Sequence, residues 1–244
     1  MTDAPRRVAS FDATFTAGGR QASRPAAAGG VDSGDESDRS DAAHGRALIL
    51  ANVARDARLD QRFVLLIVLS ASIATLGLLQ SSSAVVIGAM LVSPLLGPIM
   101  GIGFGLATLD SALIKRAIVT LAAGMALAIL VAVAIIWLSP IQDVTPELRA
   151  RTQPTLLDLG VAVVGGVAGV YAIMRKLSGV MVGVAIATAL VPPLSTVGFG
   201  LATGRMDFAL GASLLFLTNT LAIAFAATVV ARLNRFGPSL TPQH

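Results

Sequence analysis

The sequence predicts an all-α integral membrane protein: six transmembrane helices arranged as two inverted three-helix repeats, with the second and fifth helices broken at proline motifs. Three observations lead there. First, 55% of the residues are hydrophobic and only 13% charged, against roughly a quarter charged in a soluble domain. From Phe63 to Leu109 there is no charge at all, well past the ~18 apolar residues that suggest a membrane span. Second, the stretch Ser83 to Thr108 recurs at Ser178 to Thr203 without a gap, at an offset of 95, with 11 of 26 positions identical. Third, the basic residues alternate between the connections, as a multi-pass topology requires.

Residues 1–45 are rich in Gly, Ala, Ser, Arg and Asp, with little to bury, and are expected to be a disordered tail. The acidic residues Asp32, Asp35, Glu36, Asp38 and Asp41 lack the spacing and glycine of a calcium loop and read as solvated. No apolar run near Met1 suggests a cleavable signal. Residues 46–62 set Leu48, Leu50, Val53, Ala57 and Leu59 among Arg55, Asp56, Arg58, Asp60 and Arg62. This basic amphipathic segment is expected to lie at the membrane surface.

The six spans are expected at 63–79, 82–107, 113–138, 157–174, 179–202 and 208–231, each of the length a bilayer needs. They group into a first membrane repeat at 63–138, an external loop at 139–156, a second repeat at 157–233 and a tail at 234–244. Arg46, Arg55, Arg58, Arg62, Lys115, Arg116, Arg175, Lys176, Arg232 and Arg235 fall on one side; Arg149, Arg151 and Arg205 fall on the other. By the positive-inside rule both termini are cytoplasmic and the protein sits in the plasma (inner) membrane. Trp137 and Tyr171 end their spans as interfacial anchors would. Reading the proline-containing second segment as a re-entrant hairpin would spoil this alternation at Lys115 and Arg116. An odd number of crossings per unit then relates the halves by a two-fold axis in the membrane plane, as in many transporters.

Pro94 and Pro98 lie near the middle of the second span, about 18 Å in at 1.5 Å per residue; Pro192 and Pro193 lie at the same depth in the fifth. Proline interrupts a helix and favours the first turn of a new one. Pro98 and Pro193 are therefore expected to open second half-helices, whose free N–H groups carry partial positive charge. The candidate substrate-binding residues are Ser93, Pro94, Gly97, Pro98, Thr188, Pro192, Pro193, Ser195 and Asn219. A midplane site there would suit an anion or a neutral polar solute. The plainer alternative is a pair of simple kinks repaired by Ser and Thr hydroxyls. Asn219, between Thr218 and Thr220, serves either as interhelical glue or as pathway lining. Gly97, Gly101 and Gly105, with Gly165/Gly169 and Gly179/Gly183, are spaced for close helix packing. Ser81 to Ser83 are expected to cap the second helix.

No Asp, Glu, His, Lys or Arg falls in the expected membrane interior, and there is no cysteine. Proton relays, intramembrane metal sites and acid–base catalysis all need such groups. The expectation is no enzyme, no catalytic residue, no cofactor, no metal and no nucleic-acid partner. Membrane lipid, a small polar or anionic solute, and further copies of the chain in a homo-oligomer are the expected partners. A transporter or channel is the first reading; a non-transporting scaffold or partner-binding subunit is the second. An enzyme acting on lipid comes last.

The run Ser82-Ser83-Ala84-Val85-Val86-Ile87-Gly88-Ala89-Met90-Leu91-Val92-Ser93-Pro94-Leu95-Leu96-Gly97-Pro98-Ile99, with Ala189-Leu190-Val191-Pro192-Pro193-Leu194, resembles the prokaryotic uncharacterised hydrophobic-domain proteins, domain-of-unknown-function family 389. The resemblance covers roughly residues 60–233. Gln80 departs from the asparagine of many relatives, and a short tail stands where many carry a folded soluble domain. The resemblance implies a bacterial-type inner-membrane protein and supplies no substrate or catalytic residue.

Overall fold

The computed structural model describes residues 33–140, 143–175, 190–234 and 236. Among them every regular element is a helix: α1 (Ser33–Asp56), α2 (Gln61–Leu79), α3 (Ser83–Val92), α4 (Leu96–Thr108), α5 (Ser111–Leu138), α6 (Pro146–Ala150), α7 (Leu156–Met174), α8 (Val191–Thr203) and α9 (Met206–Leu233). From Ala42 onward the described chain forms one compact unit, separate from the residues before it.

Four helices, α2, α5, α7 and α9, are long and apolar enough to cross a bilayer, and α3 with α4 makes a fifth candidate, bent by 54° at its break. The protein is thus a multi-helix membrane protein. The first half of the expected fifth span, with Thr188, Gly179 and Gly183, falls on 176–189, outside the described residues. α8 covers the second half of that stretch.

Helix starts follow local chemistry. Asp60, Asp110 and Thr145 each accept the backbone N–H three residues on, and Thr155 forms a reciprocal capping box with Asp158. Ser82 caps α3 in the same way, as its serine cluster suggested. At the C-termini of α4 and α8 the chain turns through left-handed residues, Leu109 (φ 59°) and Gly204 (φ 71°). Only the glycine does so without steric cost.

α1 begins at Ser33, inside the stretch expected to be disordered. The 46–62 segment, expected at the membrane surface, packs on the bundle. Val53 and Ala57 are buried, and Ala57 packs against Gly101 of α4 and accepts a hydrogen bond from Thr120 of α5 at 2.9 Å. The supposed external loop likewise contains α6, whose Leu148 is buried.

Three pairs of helices have boundaries that match residue for residue at the same offset of 95: α2 with α7, α4 with α8, and α5 with α9. Their contacts match too. A methyl added at Gly103 of α4 would stand 2.5 Å from Ala227 Cβ and 3.1 Å from the Ala224 carbonyl oxygen of α9. A methyl at Gly198 of α8 would stand 2.5 Å from Ala132 Cβ and 3.1 Å from the Ile129 carbonyl oxygen of α5. The three residues of the second contact are the counterparts of those in the first, exchanged between the halves by the offset. Trp137 Nε1 donates to the Ala202 carbonyl at 3.3 Å. At the matching position, Arg232 donates to the Leu106 carbonyl at 3.2 Å.

These contacts predict matched penalties. Gly103→Ala and Gly198→Ala should each lower stability by about 1–3 kcal/mol through overpacking, read as a fall in melting temperature of detergent-solubilised protein. Ala227→Gly should relieve the first and Ala132→Gly the second. Crossed rescue, Ala132→Gly restoring Gly103→Ala, is not expected.

Candidate functional site at the helix breaks

α3 stops where proline requires it to. Ser93, preceding Pro94, is extended (φ −68°, ψ 130°), because the proline ring excludes the helical conformation at the residue before it. The freed backbone groups are then taken up locally. Ser93 N–H donates to the Met90 carbonyl at 3.2 Å and Gly97 N–H to the Pro94 carbonyl at 3.2 Å. Leu95 N–H donates to Ser93 Oγ at 3.4 Å. α4 starts at Leu96 with Pro98 as its third residue, so the expected second half-helix is present and opens two residues before Pro98.

The first break is covered from two sides. The Asp56 carbonyl, at the end of α1, lies so close against Gly97 that no side chain fits there. The same applies at Gly101, where a Cβ would come within 2.8 Å of Ala57 Cβ and 3.0 Å of Ala117 Cβ. On the other side Leu95 is fully buried, with its Cδ2 and the ring of Phe63 against Gly124 of α5. Ser93 and Pro94 are half-buried. A carbonyl oxygen thus stands beside the helix N-terminus, where an anion was expected to bind.

The second break is buried more deeply. α8 opens at Val191 with Pro192 and Pro193 in its first turn, where the missing N–H groups cost nothing. Every residue from Leu190 to Gly200 is buried. Thr196 Oγ1 donates to the Pro192 carbonyl one turn back at 3.0 Å, so this hydroxyl is satisfied within its own helix. Ser195 Oγ, by contrast, is buried with no hydrogen-bond partner among the described residues. Such a hydroxyl costs roughly 1–3 kcal/mol while unpaired. Asn219 is buried in the middle of α9, at the position that corresponds by the 95-residue offset to Gly124, beside the first break.

Both breaks meet in one apolar core. Leu95 and Ile99 from the first, and Leu190, Val191 and Leu194 from the second, belong to the same cluster with Phe104, Phe216 and Ile223. Residues of both proline motifs thus belong to one apolar cluster. Among the predicted site residues, Pro98, Pro192, Pro193, Ser195 and Asn219 are buried, whereas Ser93, Pro94 and Gly97 are half-buried. Thr188 lies outside the described residues.

Sequence reasoning missed three participants: the Asp56–Ala57 end of α1, Phe63 and Gly124.

Comparison with known proteins gives the family. Residues 90–225 match the family described as Domain of unknown function (DUF389). An uncharacterized protein of Methanocaldococcus jannaschii is 31% identical over 182 residues, an alignment that takes in 74% of this chain and 57% of that relative. No solved structure matches.

The two buried hydroxyls separate structure from function. Thr196→Val should cost about 1 kcal/mol, the net value of a typical hydrogen bond. Ser195→Ala should leave stability unchanged or raise it, because it removes an unpaired group. Paired melting curves in one detergent check both; a loss at Ser195 equal to that at Thr196 would mean that Ser195 is structurally engaged.

Proposed function

Because the chain belongs to the DUF389 family, whose description assigns no activity, we propose on physical grounds that it is a small-solute transporter or channel built from two inverted repeats around the paired breaks. The observation that carries this reading is the 95-residue register of helix ends and glycine contacts. Two interlocked halves, each supplying one broken helix to a shared centre, are the architecture of many secondary transporters. In this reading α2, the α3–α4 pair and α5 form one half, and α7, the fifth span ending in α8, and α9 form the other.

Sidedness follows from the ends. Lys115, Arg116, Arg175 and Arg232 mark the cytoplasmic end by the positive-inside rule, and Trp137 marks the outer interface. The plasma (inner) membrane is the proposed location, with both termini inside. Substrate would bind where the first turn of α8 presents Ser195 and where Asn219 stands, with Ser93, Thr188 and the first turn of α4 contributing from the other break. An anion or a neutral polar solute suits hydroxyls and helix N-termini without buried charge. The buried core around the breaks is then an occluded state. Further copies of the chain are proposed partners, supported by the exposed face of α3 with Ile87 and Leu91 and the open space at Gly88.

One observation favours a second reading. Apolar residues pack around both breaks, which suits a scaffold whose prolines only shape the bundle.

Flux decides between them. Purified protein in liposomes should pass at least one member of a panel of inorganic anions and small neutral solutes. Ser195→Val and Asn219→Leu should lower that flux at unchanged insertion and melting temperature. No flux across the panel, with variants altering stability alone, would leave the scaffold.

A further inference from the structure

We propose that the end of α1 and the short helix α6 are a matched pair of stoppers that close the two mouths of the pathway. The inference rests on the transport reading above. The 95-residue offset that aligns the long helices also sets α6 (Pro146–Ala150) on residues 51–55, the last turns of α1. The buried apolar residues of the two segments coincide in that register: Leu148 with Val53, at 1% and 3% exposure. The repeat is therefore longer than its three helices, and begins with an amphipathic segment in each half.

The two segments sit at opposite ends of α2. The end of α1 leads into the first residue of α2 through Ala57–Asp60. α6 is tied to the last turn of α2, where Thr145 Oγ1 donates to the Leu78 carbonyl at 2.7 Å. Nineteen residues separate these ends, about 28 Å of helix.

Each segment seats against a broken helix and a long one. At the α1 end, the Asp56 carbonyl covers Gly97 and Ala57 sits on Gly101, both in α4, while Thr120 of α5 donates to the Ala57 carbonyl. Val53 joins the core that contains Leu95, Ile99 and Phe104. At the α6 end, Ser83 Oγ at the start of α3 donates to Glu147 Oε1 at 2.5 Å. The Thr152 carbonyl covers Gly211 of α9. Thr152 is the counterpart of Ala57. Leu148 joins a cluster with Leu78, Val86, Met90 and Phe199, and Phe199 is the counterpart of Phe104.

A five-residue helix has no stability of its own, so α6 holds its place only through these contacts. Few hydrogen bonds and one apolar plug keep each mouth shut; at α6 the largely buried Glu147–Arg151 ion pair moves with the plug. The plugs differ in covalent support. α6 is short and lies between two connections, whereas the α1 stopper ends a 24-residue helix.

The chain has no cysteine, so a single reporter reads accessibility without background. Ser195→Cys, in the second break, is labelled with a membrane-impermeant maleimide applied to one face of the full-length protein in oriented liposomes. The parent reporter should label slowly from both faces. Leu148→Ala should speed labelling about tenfold or more from the α6 face alone, and Val53→Ala should do so from the α1 face alone. Thr120→Val removes only the tie to Ala57; it should reproduce the Val53→Ala result with a fall in melting temperature no larger than that of Thr196→Val. Unchanged rates, or a rise from both faces together, overturn the proposal. Side-specific labelling without flux in any solute would retain the stoppers and remove transport. Flux with labelling that ignores sidedness would do the reverse.

Discussion

Each half of this protein is held in place by a glycine packed on an alanine of the other half. Gly103 of α4 meets Ala227 of α9, and Gly198 of α8 meets Ala132 of α5. Lipid tails are as apolar as Leu or Val, so helices in a bilayer associate through close packing. Only residues without bulk let backbones approach to the point where a carbonyl lies beside the neighbouring helix. Because both contacts run between halves, neither half can complete its own core, and the bundle must form as a whole. The reach of Trp137 and Arg232 to the last turns of α8 and α4 fastens the same two crossings at their ends.

That interlock packs residues of both proline motifs into one apolar cluster, where backbone groups have to be satisfied by the protein itself. Water is scarce at that depth, so each group freed by proline must find a partner in the protein. The first break does this with Ser93, Pro94 and Gly97 acting on one another, under the carbonyl end of α1. At the second, Thr196 bonds back to the Pro192 carbonyl, and Ser195 is a buried hydroxyl with no partner among the described residues. The breaks are accordingly unequal. One is sealed by its own chain, and the other retains a buried hydroxyl.

Much of this was legible in the sequence, because composition and repetition are read without knowing any contact. The long apolar runs gave α2, α5, α7 and α9 within a few residues, and the recurring G-F-G-L-A-T marked the ends of α4 and α8. The caps at Asp60, Ser82 and Asp110 follow from side chains three residues from the N–H they serve. What could not be read was tertiary. Residues 46–62 have the composition of a surface helix, and their burial depends on small residues elsewhere, at Gly97, Gly101 and Ala117, that leave room for them. α6 was hidden for the same reason: five residues with one buried leucine carry no periodicity. Its likeness to residues 51–55 lies in position, with almost no shared letters, so only the helix ends reveal it.

Position 137 and its counterpart 232 carry the same duty with different chemistry. A tryptophan closes one crossing and an arginine closes the other, each by donating to the carbonyl at the end of a half-helix. An indole favours the boundary between hydrocarbon and headgroup, and a guanidinium favours the side richer in anionic lipid. The glycine–alanine contacts beneath them are the same in both halves and favour neither face of the bilayer. The two rims therefore differ in chemistry while the packing beneath them is shared, so a substitution at 137 or 232 changes one end of one crossing and leaves the glycine–alanine contacts intact.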